Sequence, residues 1–161
     1  MKIVTKNTPP AKVTWGLAPS PAGKLVVGLT DKGQICRIAF LRKNRPQDIA
    51  AEWQNDWPKT AFTKGVVPKN FETKPIVLVG TDFQQAVWRS MAKIPAGYVT
   101  TYGEIARHIR KPKSSRAVGA ACGANPVPYL VPCHRVVSSN GLGGFSSGLD
   151  IKKKLLKSEQ D

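Results

Sequence analysis

The sequence predicts an α+β chain of two domains, strands first and a mainly helical part second. Three observations predict it. Strand-like stretches separated by turn residues occupy residues 13–41. Three segments with helix-start signals and apolar periodicity lie between Thr81 and Ala124. Between these regions runs a polar stretch, residues 54–75, punctuated by Pro58, Gly65, Pro68 and Pro75. The length of 161 residues suits one ordinary domain or two small ones, and a hydrophobic content of 41% allows a packed core. The boundary is expected between about 68 and 80, giving domains 1–75 and 76–161.

Taken in order, residues 1–12 read as a loose, basic start. Lys24-Leu25-Val26-Val27-Gly28-Leu29 precedes the turn signal Asp31-Lys32-Gly33, and Ile35, Arg37, Ile38 and Phe40 make a partly alternating strand ending near Leu41. Arg45-Pro46-Gln47-Asp48 can open a helix with Ile49, Ala50 and Trp53 inward, since proline suits the first helical position. Ile76-Val77-Leu78-Val79 reads as a strand or an extended connector. Thr81-Asp82-Phe83-Gln84 is a capping-box pattern, and Phe83, Val87, Met91 and Ile94 follow at helical spacing until Pro95-Ala96-Gly97. Thr101-Tyr102-Gly103-Glu104 is a second capping box, opening a helix with Ile105, Ala106 and Ile109 inward.

After Lys111-Pro112-Lys113, Ser114 or Ser115 can cap a third helix that Asn125-Pro126 ends. Two helices about a short turn fit a helix-turn-helix or any αα-hairpin. The third helix carries Gly119 and Gly123, each costing about 1 kcal/mol against alanine. Such a helix implies a close neighbour, either another helix or a nucleic-acid backbone. It has almost no long polar side chains, so any contact with DNA is by shape. Ser138 to Gly148 is a glycine- and serine-rich loop. Ser147 can cap a last helix in which Ile151, Leu155 and Leu156 face inward, with Glu159 beside that stripe.

The formal net charge is +15. It points to a polyanionic partner, because lysine and arginine release counterions from nucleic acid. No Asp or Glu occurs between Glu104 and Asp150, an interval that holds Arg107, Arg110, Lys111, Lys113, Arg116 and Arg135. The three cysteines, Cys36, Cys122 and Cys133, form neither a disulfide framework nor a zinc signature, and His108 and His134 add no ligand cluster. No metal is expected. No apolar run approaches the roughly 20 residues of a membrane span, and the start shows no signal-peptide pattern. A cytoplasmic protein is expected.

Pro132-Cys133-His134-Arg135 lies in this acid-free interval. A cysteine taken alone is most often an inert buried thiol. Cys133 becomes a nucleophile only if a base or a field favours its thiolate. His134 can take the proton, directly or through water, and Glu159 can orient the imidazole and stabilise its cation. This pattern leaves the electrophile open: an acyl carbon makes a hydrolase, an alkyl carbon a transferase.

Asn125-Pro126-Val127-Pro128-Tyr129-Leu130-Val131-Pro132-Cys133-His134-Arg135-Val136 closely resembles the active-site signature of the O6-alkylguanine-DNA alkyltransferases, also called methylated-DNA–protein-cysteine methyltransferases. The resemblance runs from about Thr81 to Glu159. It includes Thr100-Thr101-Tyr102-Gly103-Glu104, Ser115-Arg116-Ala117-Val118-Gly119 and Gly144-Phe145-Ser146. Residues 1–80 match more weakly but fit the family's variable N-terminal domain, which resembles ribonuclease H.

The resemblance implies that Cys133 accepts the alkyl group from O6 of guanine and is consumed, each molecule acting once and without a cofactor. It implies that His134, through water, and Glu159 make Cys133 nucleophilic, and that Asn125 ties the turn before the active-site segment. Tyr102 would donate toward N3 of the guanine and help rotate the nucleotide. The carbonyls of Cys133 and Val136 would accept from its amino group, and Ser146 would donate to O6. Phe145 completes the base pocket where many relatives carry tyrosine. The partner implied is double-stranded DNA, bound through its minor groove by a monomer. The residues expected at the DNA are Ser115, Arg116 as the finger that fills the vacated stack, Ala117, Gly119, Ala120, Gly123 and Arg135. A base buried in a duplex must be flipped out before a thiol can reach it.

Overall fold

The computed structural model describes residues 1–160 and divides into two compact units, Met1–Gly80 and Thr81 onward. The first unit is built on a six-stranded sheet in the order β1-β6-β4-β3-β2-β5. Its strands are β1 (Ile3–Lys6), β2 (Lys12–Ala18), β3 (Leu25–Thr30), β4 (Ile35–Phe40), β5 (Ala61–Lys64) and β6 (Ile76–Val79). The centre is the antiparallel meander β2-β3-β4, turned at Gly33, whose φ of +75° favours glycine. Strand β3, LVVGLT, is buried along its whole length, so its apolar run is continuous rather than alternating.

Helix α1 (Pro46–Asp56) starts with proline at its first position and with Asp48 Oδ2 accepting from the Arg45 backbone N–H at 3.1 Å. Its apolar face, Ile49, Ala50 and Trp53, packs on Trp15 and Val26 of the sheet. The Arg37 guanidinium lies over the rings of Trp53 and Trp57, 5.3 and 4.9 Å from their centroids, and pairs with Asp56 at 3.1 Å.

Three features depart from the sequence reading. The start is not loose, because residues 3–6 form β1, parallel to β6. The polar stretch contains β5, parallel to β2. Both are four-residue edge strands held by partners distant in sequence, so neither carries an alternation of its own. Strand β6 belongs to this sheet, between β1 and β4, so the first unit runs to Gly80 rather than to residue 75.

The second unit is helical: α2 (Asp82–Met91), α3 (Tyr102–His108), α4 (Ser115–Gly123) and α5 (Leu149–Ser158). Thr81 and Gln84 form the reciprocal capping box of α2, at 3.2 and 3.0 Å. At α3 only half of the expected box is made. Thr101 accepts from the Glu104 N–H at 3.2 Å, while the Glu104 carboxylate takes the Arg107 guanidinium one turn on. The turn from α3 to α4 passes through Arg110 at φ +62°. Ser114 holds the N-cap position of α4, but its hydroxyl donates to the Lys111 carbonyl at 2.6 Å instead of capping.

Helix α5 is capped by Gly148 rather than Ser147, since the chain enters at φ +112°, open to glycine. Helix α4 buries Val118, Ala121 and Cys122, and the Trp88 indole of α2 donates to the Ala121 carbonyl at 2.8 Å. A two-stranded parallel ribbon pairs β7 (Thr100–Thr101) with β8 (Val136–Val137). No helix among the described residues is long and apolar enough to cross a membrane.

Candidate active site

The ribbon organises the site. Strand β7 leads directly into α3, whose first residue is Tyr102; β8 leads out of a single 3-10 turn, Cys133–Arg135. The register Thr100↔Val136 and Thr101↔Val137 therefore brings the start of α3 beside the cysteine turn. Upstream, Asn125 clamps the approach: its Nδ2 donates to the Val131 carbonyl at 2.8 Å, and its Oδ1 accepts from the Val127 N–H at 3.0 Å. The Cys133 N–H donates to the Val131 carbonyl at 2.8 Å, tightening the turn.

A cleft of about 150 Å³ opens at Cys133, lined also by Tyr102, Gly119, Cys122, Gly123, Gly144, Phe145 and Ser146. The thiol is 5% exposed. Burial pushes it up to about 11, against a hydrogen bond from Asn125 and the positive charge of Lys152. At neutral pH the resting group is therefore mostly thiol.

His134 follows Cys133 in the same turn. It is fully buried, and its Nε2 lies 2.6 Å from Glu159 Oε1. A carboxylate only accepts, so Nε2 carries the hydrogen and Nδ1 keeps its lone pair. Nδ1 is buried and takes no hydrogen bond from the protein. Burial holds the imidazole below its usual value, against the raising effect of Glu159, so the ring rests neutral. Glu159 is fixed in turn by Arg135, which donates from Nε at 3.0 Å and from Nη2 at 2.9 Å. Burial works to raise the Glu159 carboxyl, but the bonds from Arg135 and His134 outweigh it and keep the group ionised. The bonded array thus runs imidazole, carboxylate, guanidinium, next in sequence to the Cys133 thiol.

Arg135 was expected at the DNA. Its guanidinium instead joins Glu159 to the Ile94 carbonyl, at 2.5 Å from Nη1, with only 16% of its side chain exposed. That geometry holds Glu159 and the end of residues 91–94 together inside the unit.

The sequence reading missed Lys152. It is fully buried, and its Nζ donates to the Val136 carbonyl at 2.7 Å and the Gly144 carbonyl at 3.0 Å. It also stands 5.9 Å from the centroid of the Phe145 ring. One cation thereby ties β8 to the glycine loop across the base of the cleft. Only the packing of α5 reveals it: Ile151, Lys152 and Leu155 are the buried positions of that helix, and a lysine there needs a partner. Gly143 completes that wall: at φ +75°, a Cβ there would lie 2.9 Å from the Tyr102 hydroxyl. Burial raises the Tyr102 phenol, so it remains a neutral donor.

The expected DNA-facing residues form the outer side of α4. Ser115, Arg116, Ala117, Ala120 and Gly123 are exposed and Gly119 is half-buried. A Cβ at Gly119 or Gly123 would meet nothing within 4 Å. Among the described residues, nothing outside the helix presses on these two positions. Val136 is buried beneath the cleft, while Phe145 and Ser146 stand at its mouth. No cluster of three or more potential metal ligands occurs among the described residues.

Comparison with known proteins joins this geometry to a family. The model for the 6-O-methylguanine DNA methyltransferase DNA-binding domain matches residues 82–161. A Methanosarcina acetivorans methylated-DNA–protein-cysteine methyltransferase is 53% identical over 154 residues, covering 90% of this chain and 97% of that protein. The chain belongs to the methylated-DNA–protein-cysteine methyltransferases. A Haemophilus influenzae methyltransferase is 37% identical, covering 88% of this chain and 83% of its own. Among solved structures, Mycobacterium tuberculosis OGT in complex with DNA superposes with a TM-score of 0.74 at 30% identity, covering 92% and 93% of the two chains. The Pyrococcus kodakaraensis O6-methylguanine-DNA methyltransferase superposes with a TM-score of 0.69 at 26% identity, covering 91% and 98%. This methyltransferase therefore shares its mixed α/β architecture with both.

Proposed function

We propose that this methyltransferase repairs O6-alkylguanine in double-stranded DNA by moving the alkyl group onto Cys133 Sγ. The observation that supports the proposal is a thiol, Cys133, lining a cleft of about 150 Å³ and followed in the chain by a buried imidazole that Glu159 orients.

The lesion base is rotated out of the stack, because its O6 is shielded inside the duplex; unstacking costs a few kcal/mol, less where damage weakens pairing. Helix α4, the second helix of a helix-turn-helix, enters the minor groove with its small-residue face, and Arg116 fills the vacated space. The carbonyls of Cys133 and Val136 receive the guanine amino group. The thiol proton passes through a water to His134 Nδ1 as Sγ attacks the alkyl carbon. The carbon–O6 bond breaks, and Ser146 toward O6 and Tyr102 toward N3 stabilise the departing base. The product thioether has no leaving path, so each molecule acts once. Residues 1–80 act as a ribonuclease-H-like support, the protein acts as a monomer, and its place of action is the cytoplasm with access to DNA.

Intact mass after incubation with a duplex carrying one O6-methylguanine tests this. The expected result is a gain of one methyl per chain that then stops, absent in Cys133→Ala. Repeated turnover, or an equal gain in Cys133→Ala, overturns it. Arg116→Ala should slow reaction with the duplex far more than with a free O6-alkylguanine base; equal losses would remove the finger role.

A further inference from the structure

A second cleft of the helical unit shares no lining residue with the one at Cys133. It holds about 570 Å³ between α2, residues 94–100 and α3, within the range of ligand-sized sites. Its apolar surface comes from Ile105 of α3, from Ile109 at the C-cap of that helix, and from Tyr98 and Val99, which stand 67% and 54% exposed. Arg89 of α2 and Lys93, just past its end, give it a cationic edge beside His108 of α3, and no carboxylate of the described residues lines it.

We propose that this groove docks an acidic, amphipathic segment of a partner protein. An exposed tyrosine and valine beside a hydrophobic floor suit apolar anchors, which a helical segment presents at i, i+3 and i+4. The cations select carboxylates on the flanks of those anchors and speed their encounter. A phosphodiester backbone would use the cations and gain nothing from Ile105, Ile109 and Val99. A second copy of this chain fits poorly, since two bodies each of net charge +15 repel. The acidic amphipathic segment alone matches both halves of the groove. None of its lining residues belongs to the acceptor relay or to the DNA-facing side of α4.

The test uses the whole protein and a display library of peptides of about twelve residues, long enough for three helical turns. Apolar anchors are held at i, i+3 and i+4, and the remaining positions are varied over Asp, Glu, Asn, Gln and Lys. Selected peptides should be rich in Asp and Glu, and their affinity should fall about tenfold when those residues become Asn and Gln. It should fall by about the same factor in Lys93→Glu and in Tyr98→Ser. Both variants should still accept one methyl from methylated duplex, which shows that they fold and separates this result from the repair reading. Neutral or basic winners, no binders, or binding unchanged in both variants overturns the proposal. So does displacement of the peptide by undamaged duplex together with weaker DNA binding in Lys93→Glu, which would make the groove a nucleic-acid surface. A wild-type dimer in sedimentation that Tyr98→Ser dissolves would assign it to a second copy instead.

Discussion

His134 Nε2 and Glu159 Oε1 lie 2.6 Å apart, although 25 residues of chain separate them. The contact exists because α5 ends with Glu159 at its C-cap, where Arg135 of the cysteine turn also reaches it. The carboxylate thus sets both the tautomer of the imidazole and the position of the turn.

Glu159→Gln should keep the fold's shape but lose the charge that stabilises an imidazolium. The rate of methyl transfer to Cys133, followed by quenched intact mass, is expected to fall by about 10²-fold, the low end for loss of proton-transfer assistance. A rate within twofold of wild type would show that His134 works without it.

The pH dependence follows from the same pair. Burial lowers His134 from its ordinary 6.5, and the bonds from Arg135 and His134 hold Glu159 below 4.5 against burial. In each case the unfolded chain takes up a proton before the folded one does. Stability is therefore complete above about pH 6.5 and is lost as pH falls, first through the histidine window and then through the carboxylate window. Denaturant midpoints at pH 8, 6 and 4 should decline in that order, and His134→Asn should abolish the first step. The transfer rate should decline on the same acid side, where Nδ1 becomes protonated. A midpoint that rises on acidification from pH 8 to 6 contradicts this.

Lys152→Met exchanges the buried ammonium for an apolar chain and leaves the Val136 and Gly144 carbonyls without their donor. The expected destabilisation is about 1–3 kcal/mol, the cost of an unmet buried polar group. Transfer should slow beyond what unfolding explains, because the wall carrying Phe145 and Ser146 loses its tie to β8 and Cys133 loses a nearby positive charge. An equally stable, equally fast variant would show that the tie does not shape the cleft.

The meander, α1 and the helix starts were legible in the sequence because their signals are local: turns, proline at a helix start, capping hydroxyls. Edge strands β1 and β5 were not, since only pairing across the sheet makes them strands. The relay was legible because a carboxylate beside an apolar stripe calls for a partner, and His134 was a candidate in reach of that argument. The inward contacts of Arg135 were not legible, because charge alone does not distinguish a surface cation from one turned onto Glu159 and a backbone carbonyl. Lys152 escaped notice because a lysine reads as surface until its helix is packed. The glycines of α4 admitted two explanations from sequence, and the open space beside them in the structure leaves the DNA explanation to experiment.

That open space makes the final prediction. Gly119 sits in a helix, and a methyl group added to its Cα would have nothing within 4 Å, so Gly119→Ala costs no packing in the free protein. Alanine is the better helix former by about 1 kcal/mol, so the variant should be more stable by roughly that amount in denaturant titration. The added methyl projects from the side of α4 proposed to enter the minor groove, and into the cleft that Gly119 lines. Binding to methylated duplex should weaken and transfer should slow in the same variant. A gain in stability with a loss of DNA affinity would separate selection for folding from selection for binding at one residue. A variant that loses stability, or that binds duplex as well as wild type, would show that the glycine is not there for DNA.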